Sequence, residues 1–299
     1  MTAKPKPSYY GAFFWVSLIS FAVPIAVAFA AFNEVAPTTK PTPAPDASGV
    51  DHNLWDYLLK TYVADGLIDY DGMGRDYLFR TYLRQLGQCD LSKLTTTSDR
   101  LALMCNAYNA FVVNGVITHK VDKSVLDFDA DGTGFFDLKE HILSGKTISL
   151  NHLEHEVIRK VFAEPRIHVA LVCAARSCPA IRPEAYIGTR IEKQLADQAS
   201  LFANNPRYVR ADEQGTVHLN PILQWYGEDW KNEGSYLSWL AELTDDPALT
   251  QALSQAANQQ APVKWNTYDW TLNSQREPGS HSASSGGGAS FGSGSVPNE

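Results

Sequence analysis

The chain has 299 residues, a formal charge of −8 and a pI near 5.5. That balance argues against a nucleic-acid partner, which needs a basic face to displace counterions. Cysteine is scarce, and two of the four, Cys173 and Cys178, fall in one short stretch.

In chain order, Lys4 and Lys6 precede an uncharged apolar run at residues 12–32, and Glu34 is the first charge after it. The run matches the ~20 residues a helix needs to cross a bilayer. With the lysines only on its N-terminal side, it predicts a remainder outside the cytoplasm. A cleaved signal peptide, with Ala28-Phe29-Ala30 as its small-x-small site, is the alternative and would give a secreted protein. Residues 1–33 thus read as signal-anchor or signal peptide. Residues 34–50, "EVAPTTKPTPAPDASGV", are a Pro-rich spacer, residues 51–273 one globular domain, and residues 274–299 a Gly/Ser-rich disordered tail.

Gly72-Met73-Gly74 is too short for a phosphate loop, and no cofactor signature comes after any strand-like piece. "SDRLALMCNAYNAFVVNGVITHK" places Met104, Tyr108, Phe111, Val112 and Gly115 on one helical face. "DFDADGTGFFDL" starts like a calcium loop, but its twelfth position is Leu138, so it reads as a solvated turn. In "NHLEHEVIRK", Leu150, Leu153, Val157 and Val161 predict an apolar stripe, with Asn151 and Glu154 at capping-box spacing. Thr189 and Glu192 have that spacing ahead of a helix through Phe202, and Asp246-Pro247 predicts a helix start. "KTISL", "IHVALVC" and "TVHLN" are strand-like. The fold class is therefore α+β: a helix-dominated domain around a small β-sheet, preceded by a transmembrane or signal helix.

"CNAYNAFVVNGV", "SGKTISLNHLEHEVIR", "RIHVALVCAARSCPAIRPEAY", "LNPILQWYGEDW" and "YDWTLN" succeed one another in the order found in a known family. On these segments the chain resembles the domain of unknown function 547 family, as a bacterial membrane-anchored or secreted member. The resemblance implies no activity. Relatives in plants carry a coiled coil where this chain has its apolar run, many have tryptophan at the position of Cys105, and some have serine at that of Cys178.

Read as a regular strand, "IHVALVC" puts His168 and Cys173 on opposite faces, so a base for Cys173 must come from elsewhere. His155 is the candidate, with Glu154 holding its tautomer. Asn106 and Asn109, three apart on a helix, are either substrate clamps or helix-to-loop hydrogen-bonders. Together with His168, Ser177, Cys178 and Arg182 they are expected around one cleft. His152 and His155 could ligate zinc, but no third ligand is visible, so no metal and no cofactor are assigned. Glu228 and Asp229 are adjacent and cannot flank a glycosidic bond, and core packing is the reading for the aromatics around them.

Three functions fit this pattern. The first is a non-catalytic binding module of the cell envelope, taking a partner protein, peptide or glycan and meeting the membrane through its N-terminal helix. The second is a cysteine-dependent hydrolase or acyltransferase using Cys173 with His155. The third is a metal-dependent enzyme.

Overall fold

The computed structural model describes residues 44–276. The apolar run at residues 12–32, the start of the spacer and the tail beyond residue 276 lie outside the described residues, as do the expectations placed on them.

Helices α1 (His52–Tyr62), α2 (Tyr70–Arg75) and α3 (Tyr77–Gln88) start on Asp51, Asp69 and Asp76, each accepting a first-turn backbone N–H. A carboxylate there satisfies an orphan donor at the positive end of the helix dipole. Strands β1 (Val63–Ala64) and β2 (Leu67–Ile68) form a hairpin between α1 and α2. Helix α4 (Thr97–Thr118), capped by Thr96, is buried on nearly every side. It is long and apolar enough to cross a membrane, yet 83% of its apolar window is buried inside the protein, as a core helix requires. Gly115 lets the ring of Phe135 approach, since an added Cβ would lie 2.8 Å from it.

The calcium-loop look-alike is a hairpin of β3 (Asp129–Ala130) and β4 (Thr133–Gly134). Its central residues, Asp131 and Gly132, both have positive φ, the geometry of a primed two-residue turn. Strands β5 (His141–Leu143) and β6 (Lys146–Ile148) pair antiparallel, β6 falling within "KTISL".

The next helix corrects the capping reading. Asn151 has helical backbone angles and no capping bond, and its side chain donates to Asp137 instead. Ser149 accepts the N–H of His152. Residues His152–Ile158 are π-helical, with Arg159 N–H donating to Glu154 C=O, and α5 (Arg159–Phe162) completes the helix.

"IHVALVC" is not a strand. Pro165–Val169 forms a 3-10 turn opened by Glu164, whose carboxylate accepts the Arg166 N–H. Beyond it, the backbone of Ala170 and Val172 bonds the Asn109 side chain rather than a neighbouring strand. A short apolar run buried on all sides has no period to tell strand from coil. The Thr189–Glu192 box also fails: a 3-10 turn, Gly188–Arg190, leads directly into α6 (Ile191–Ala203) with no side-chain cap.

Strands β7 (Val209–Ala211) and β8 (Val217–Leu219) pair antiparallel, β8 lying within "TVHLN". Helices α7 (Ile222–Trp225), α8 (Tyr236–Leu243) and α9 (Pro247–Ala257) come next, the last capped by Asp246 as expected. Strand β9 (Val263–Trp265) joins β8 in parallel. The domain is thus α+β and helix-dominated. In place of one small sheet, the described residues form three two-stranded sheets and one three-stranded sheet.

Two apolar clusters divide the interior, one around α4 and one around α8, α9 and β7–β9. Helix α6 joins them, with Ile191 and Leu195 in the first and Ala199 and Phe202 in the second. Residues 268–275 then return as a strap. Leu272 N–H donates to Lys123 C=O, Asn273 N–H to Ala174 C=O, and the Asn273 side chain accepts the Tyr70 hydroxyl at 2.6 Å.

Candidate functional site

A cavity of about 250 Å³ opens where the two clusters meet. The first cluster supplies Tyr108, Phe136, Leu171, Val172 and the thiols Cys173 and Cys178; α7 and the residue after it add Ile222, Trp225 and Tyr226; the strap adds Tyr268 and Trp270. Asn151, Glu154 and His168 complete the wall. A larger hollow of about 380 Å³ beside Arg75, Lys120 and Arg276 is lined by no thiol or histidine.

The loop bearing Cys173 is held from two sides. On α4, the Asn109 side chain donates to Ala170 C=O and accepts from Val172 N–H, both at 3.0 Å. From the strap, Arg176 N–H donates to Thr271 C=O at 2.8 Å and Ser177 N–H to Asp269 C=O at 3.1 Å. Between these anchors Ala174 takes φ +60°, a left-handed conformation costly for a residue with a Cβ. Such strain persists where the surroundings over-determine it and is enriched at functional sites.

Cys173 Sγ lies 3.1 Å from the Tyr268 hydroxyl. The Cys173 N–H donates to Cys178 Sγ at 3.0 Å. Burial pushes the pKa of the Cys173 thiol up, but hydrogen bonds from Cys178, Tyr268 and the Ala175 N–H outweigh it and hold the thiol below its ordinary value. Burial, followed by the neighbouring Cys173 sulfur, pushes Cys178 well up. Cys173 is therefore the more acidic thiol of the two, and the Cys178 thiol donates to Leu171 C=O at 3.8 Å. Tyr268, raised by burial and by both sulfurs, also keeps its proton.

Glu154 is buried and accepts from the Tyr108 hydroxyl at 2.8 Å. Behind them, Asp229 bridges His168, at 2.6 Å, and the Nε–Nη2 edge of the Arg159 guanidinium, at 2.8 and 2.9 Å. The Tyr226 ring stacks on His168 at 4.0 Å, and Arg159 lies over it at 4.9 Å. Burial keeps His168 below its ordinary value despite the pull of Asp229. Asp229 itself is held well below the carboxylate range, chiefly by the bond from His168.

Of the residues singled out from sequence, the structure brings Glu154, His168, Cys173 and Cys178 to this cavity. The expected Cys173–His155 pair does not form: His155 accepts from Arg159 at 3.1 Å, and among the described residues no histidine hydrogen-bonds Cys173. His155 lies on the π-helical turn, whose altered phase sends it toward Arg159 and Tyr226. Asn109 stands behind the wall, holding the loop. Asn106 clamps Tyr186, donating to its C=O at 2.8 Å and accepting its N–H at 2.9 Å. Ser177 Oγ accepts the Asp269 N–H, and Arg182 pairs with Glu184 and Asp197 away from the cavity. His152 is exposed, and among the described residues no three histidine, cysteine or acidic side chains are grouped to hold a metal.

Sequence reasoning misses Tyr226, Tyr268, Trp225, Trp270, Arg159 and Asp229 as site residues. "QWYGEDW" and "YDWTLN" are visible as motifs, but reading their aromatics as core packing suits Trp230, which is fully buried, and not Trp225, which is 48% exposed.

The cavity is small and aromatic-walled, and its lining carries a thiol held below its ordinary pKa, on an α+β domain. Residues 91–203 match the family described as "Protein of unknown function, DUF547". The match takes in Cys173, Cys178 and Glu154 and ends before Trp225, Tyr226, Tyr268 and Trp270. No curated protein and no solved structure matches the chain.

Proposed function

We propose that this protein is a thiol-dependent acyl-transfer enzyme, with Cys173 as nucleophile and a small thioester or activated ester as substrate. The observation that carries the reading is the Tyr268 hydroxyl 3.1 Å from the Cys173 sulfur at a cavity wall, beside a thiol held below its ordinary pKa. The thiolate is the reactive form of cysteine, so donors that favour it raise the reactive fraction at neutral pH.

The Cys173 thiolate forms a C–S bond to the substrate carbonyl, and the C=O electron pair moves onto oxygen. The Tyr268 hydroxyl, freed from the sulfur as its charge is consumed, donates to that oxygen in this reading. Collapse breaks the bond to the leaving group, and water or an acceptor then cleaves the acyl-Cys173 thioester. Among the described residues no imidazole hydrogen-bonds Cys173 to protonate an amine leaving group. Leaving groups that depart as anions are therefore favoured over peptide bonds. Glu154, the carboxylate of the lining, disfavours acyl groups bearing their own negative charge.

This reading replaces the binding-module expectation because a passive pocket gains nothing from an acidified thiol. In the same account the domain acts outside the cytoplasm, on the support of the lysines flanking the apolar run. The test is mass spectrometry of the protein mixed with a short acyl thioester. An acyl adduct on Cys173 that turns over in the parent and is lost in Cys173→Ser is expected. Equal thioester cleavage by Cys173→Ser, or an adduct on another residue, would overturn the reading.

A further inference from the structure

We propose that Cys173 and Cys178 are a hydroperoxide-responsive pair, in which the cavity thiol is oxidised to a sulfenic acid that Cys178 then closes to a disulfide. The geometry is pre-set. Cys178 Sγ already sits 3.0 Å from the Cys173 amide, five residues on in the same loop. Its own backbone is pinned, the N–H on Ala175 C=O and the C=O on the Tyr208 hydroxyl, both at 3.1 Å. Both thiols are free, and both line the cavity through which a molecule as small as hydrogen peroxide can enter. The other two cysteines are built differently: Cys105 is fully buried on α4, and Cys89 is buried with its thiol on Leu86 C=O.

In the first step the Cys173 thiolate attacks hydrogen peroxide: the S–O bond forms, the O–O bond breaks, and the hydroxide that leaves combines with the proton Cys173 released on ionising. Sulfur is oxidised by two electrons and the peroxide reduced. In the second, Cys178 loses its proton and attacks the sulfenic sulfur. The S–S bond forms, the S–O bond breaks, and the departing hydroxide combines with that proton. Two thiols and one peroxide give one disulfide and two waters. The order is enforced electrostatically. Burial and the neighbouring thiolate hold Cys178 protonated, and conversion of Cys173 to a neutral sulfenic acid removes the second of these. The disulfide removes the nucleophile of the proposed acyl transfer, and that consequence alone rests on the acyl-transfer reading.

The experiment treats the full chain with hydrogen peroxide in the presence of a sulfenic-acid trap, dimedone, and maps all four cysteines by mass spectrometry. The parent should lose two hydrogens across the peptides holding Cys173 and Cys178, dithiothreitol should restore them, and Cys89 and Cys105 should remain alkylatable after unfolding. Cys178→Ser, which cannot close the bridge, should carry the dimedone adduct on Cys173. The proposal is overturned if the parent accumulates that adduct as fully as Cys178→Ser, or if Cys173 is oxidised no faster than Cys89 and Cys105. No acyl substrate enters this readout, so a failure of acyl transfer leaves its result standing.

Discussion

At the scale of residues, Tyr268 and Asn109 have separable tasks. Tyr268 gives the Cys173 sulfur a hydrogen bond from 95 residues away in sequence. Tyr268→Phe keeps the ring and removes the donor, so the thiol should ionise at higher pH. Alkylation of Cys173 by iodoacetamide should then slow at neutral pH and converge with the parent at alkaline pH. An unshifted pH profile would show that the hydroxyl does not stabilise the thiolate. Asn109 acts on the backbone. Asn109→Ala strands Ala170 C=O and Val172 N–H in the interior, at about 1–3 kcal/mol for each unsatisfied group. A drop of that order in urea-unfolding free energy is expected, and no drop would mean that the loop finds other partners. The amide clamps were legible from sequence, because two asparagines three apart on an apolar helix must be satisfied by something. The partner of Cys173 was not. Nothing local links a tyrosine of the C-terminal strap to a thiol in the middle of the chain.

At the scale of elements, the helix carrying Glu154 explains why local pattern failed at the site. A stripe of Leu150, Leu153, Val157 and Val161 assumes regular α-helical phase. The first two are fully buried, but Val161 is 66% exposed, because the π-helical turns take up extra residue and rotate the residues beyond them. The same shift separates His155 from Cys173. Elsewhere local signals held: Asp246-Pro247 starts α9, and β6 and β8 form where β-branched residues cluster. Strand β5 supplies a pH prediction. His141 is buried against Phe111 at 4.9 Å with no hydrogen bond to either ring nitrogen, and burial pushes it down to about 4 against the opposing influence of Glu140, whose carboxylate lies 3.9 Å from Nε2. His119 is the other charge beside it. A histidine depressed in the fold binds fewer protons folded than unfolded, so its stability contribution is whole above ~6.5 and lost as pH falls toward 4. His141→Phe should therefore flatten the fall of melting temperature between those two pH values. A variant as acid-sensitive as the parent would assign that fall to other groups.

At the scale of the whole molecule, the domain is tied together by segments near its described ends. Asp46 accepts from the Ser48 and Val50 N–H groups, Ser48 C=O accepts the Asp90 N–H, and Arg276 pairs with Asp71 and Asp122. A chain trimmed to residues 44–276 should thus unfold in one cooperative transition. Trimming to 51–273, the limits suggested by composition, should lower its melting temperature. Equal stability of the two would show these contacts to be dispensable. Composition cannot register ties made by single side chains such as Asp46 and Arg276. The cavity likewise belongs to no single segment, since Tyr108, Phe136, Glu154 and both thiols come from the middle of the chain and Trp225, Tyr226, Tyr268 and Trp270 from its C-terminal part.

The central claim is that Cys173 is an ionisable nucleophile at the floor of this cavity. Its most direct measurement is the rate of iodoacetamide alkylation at each cysteine of the folded protein as a function of pH, resolved by mass mapping. The account predicts that Cys173 reacts first, with a half-maximal rate at a pH below that of an unperturbed thiol, while Cys89 and Cys105 stay protected until unfolding. A Cys173 that reacts no faster than those two, or only at the pH of an ordinary thiol, would contradict it.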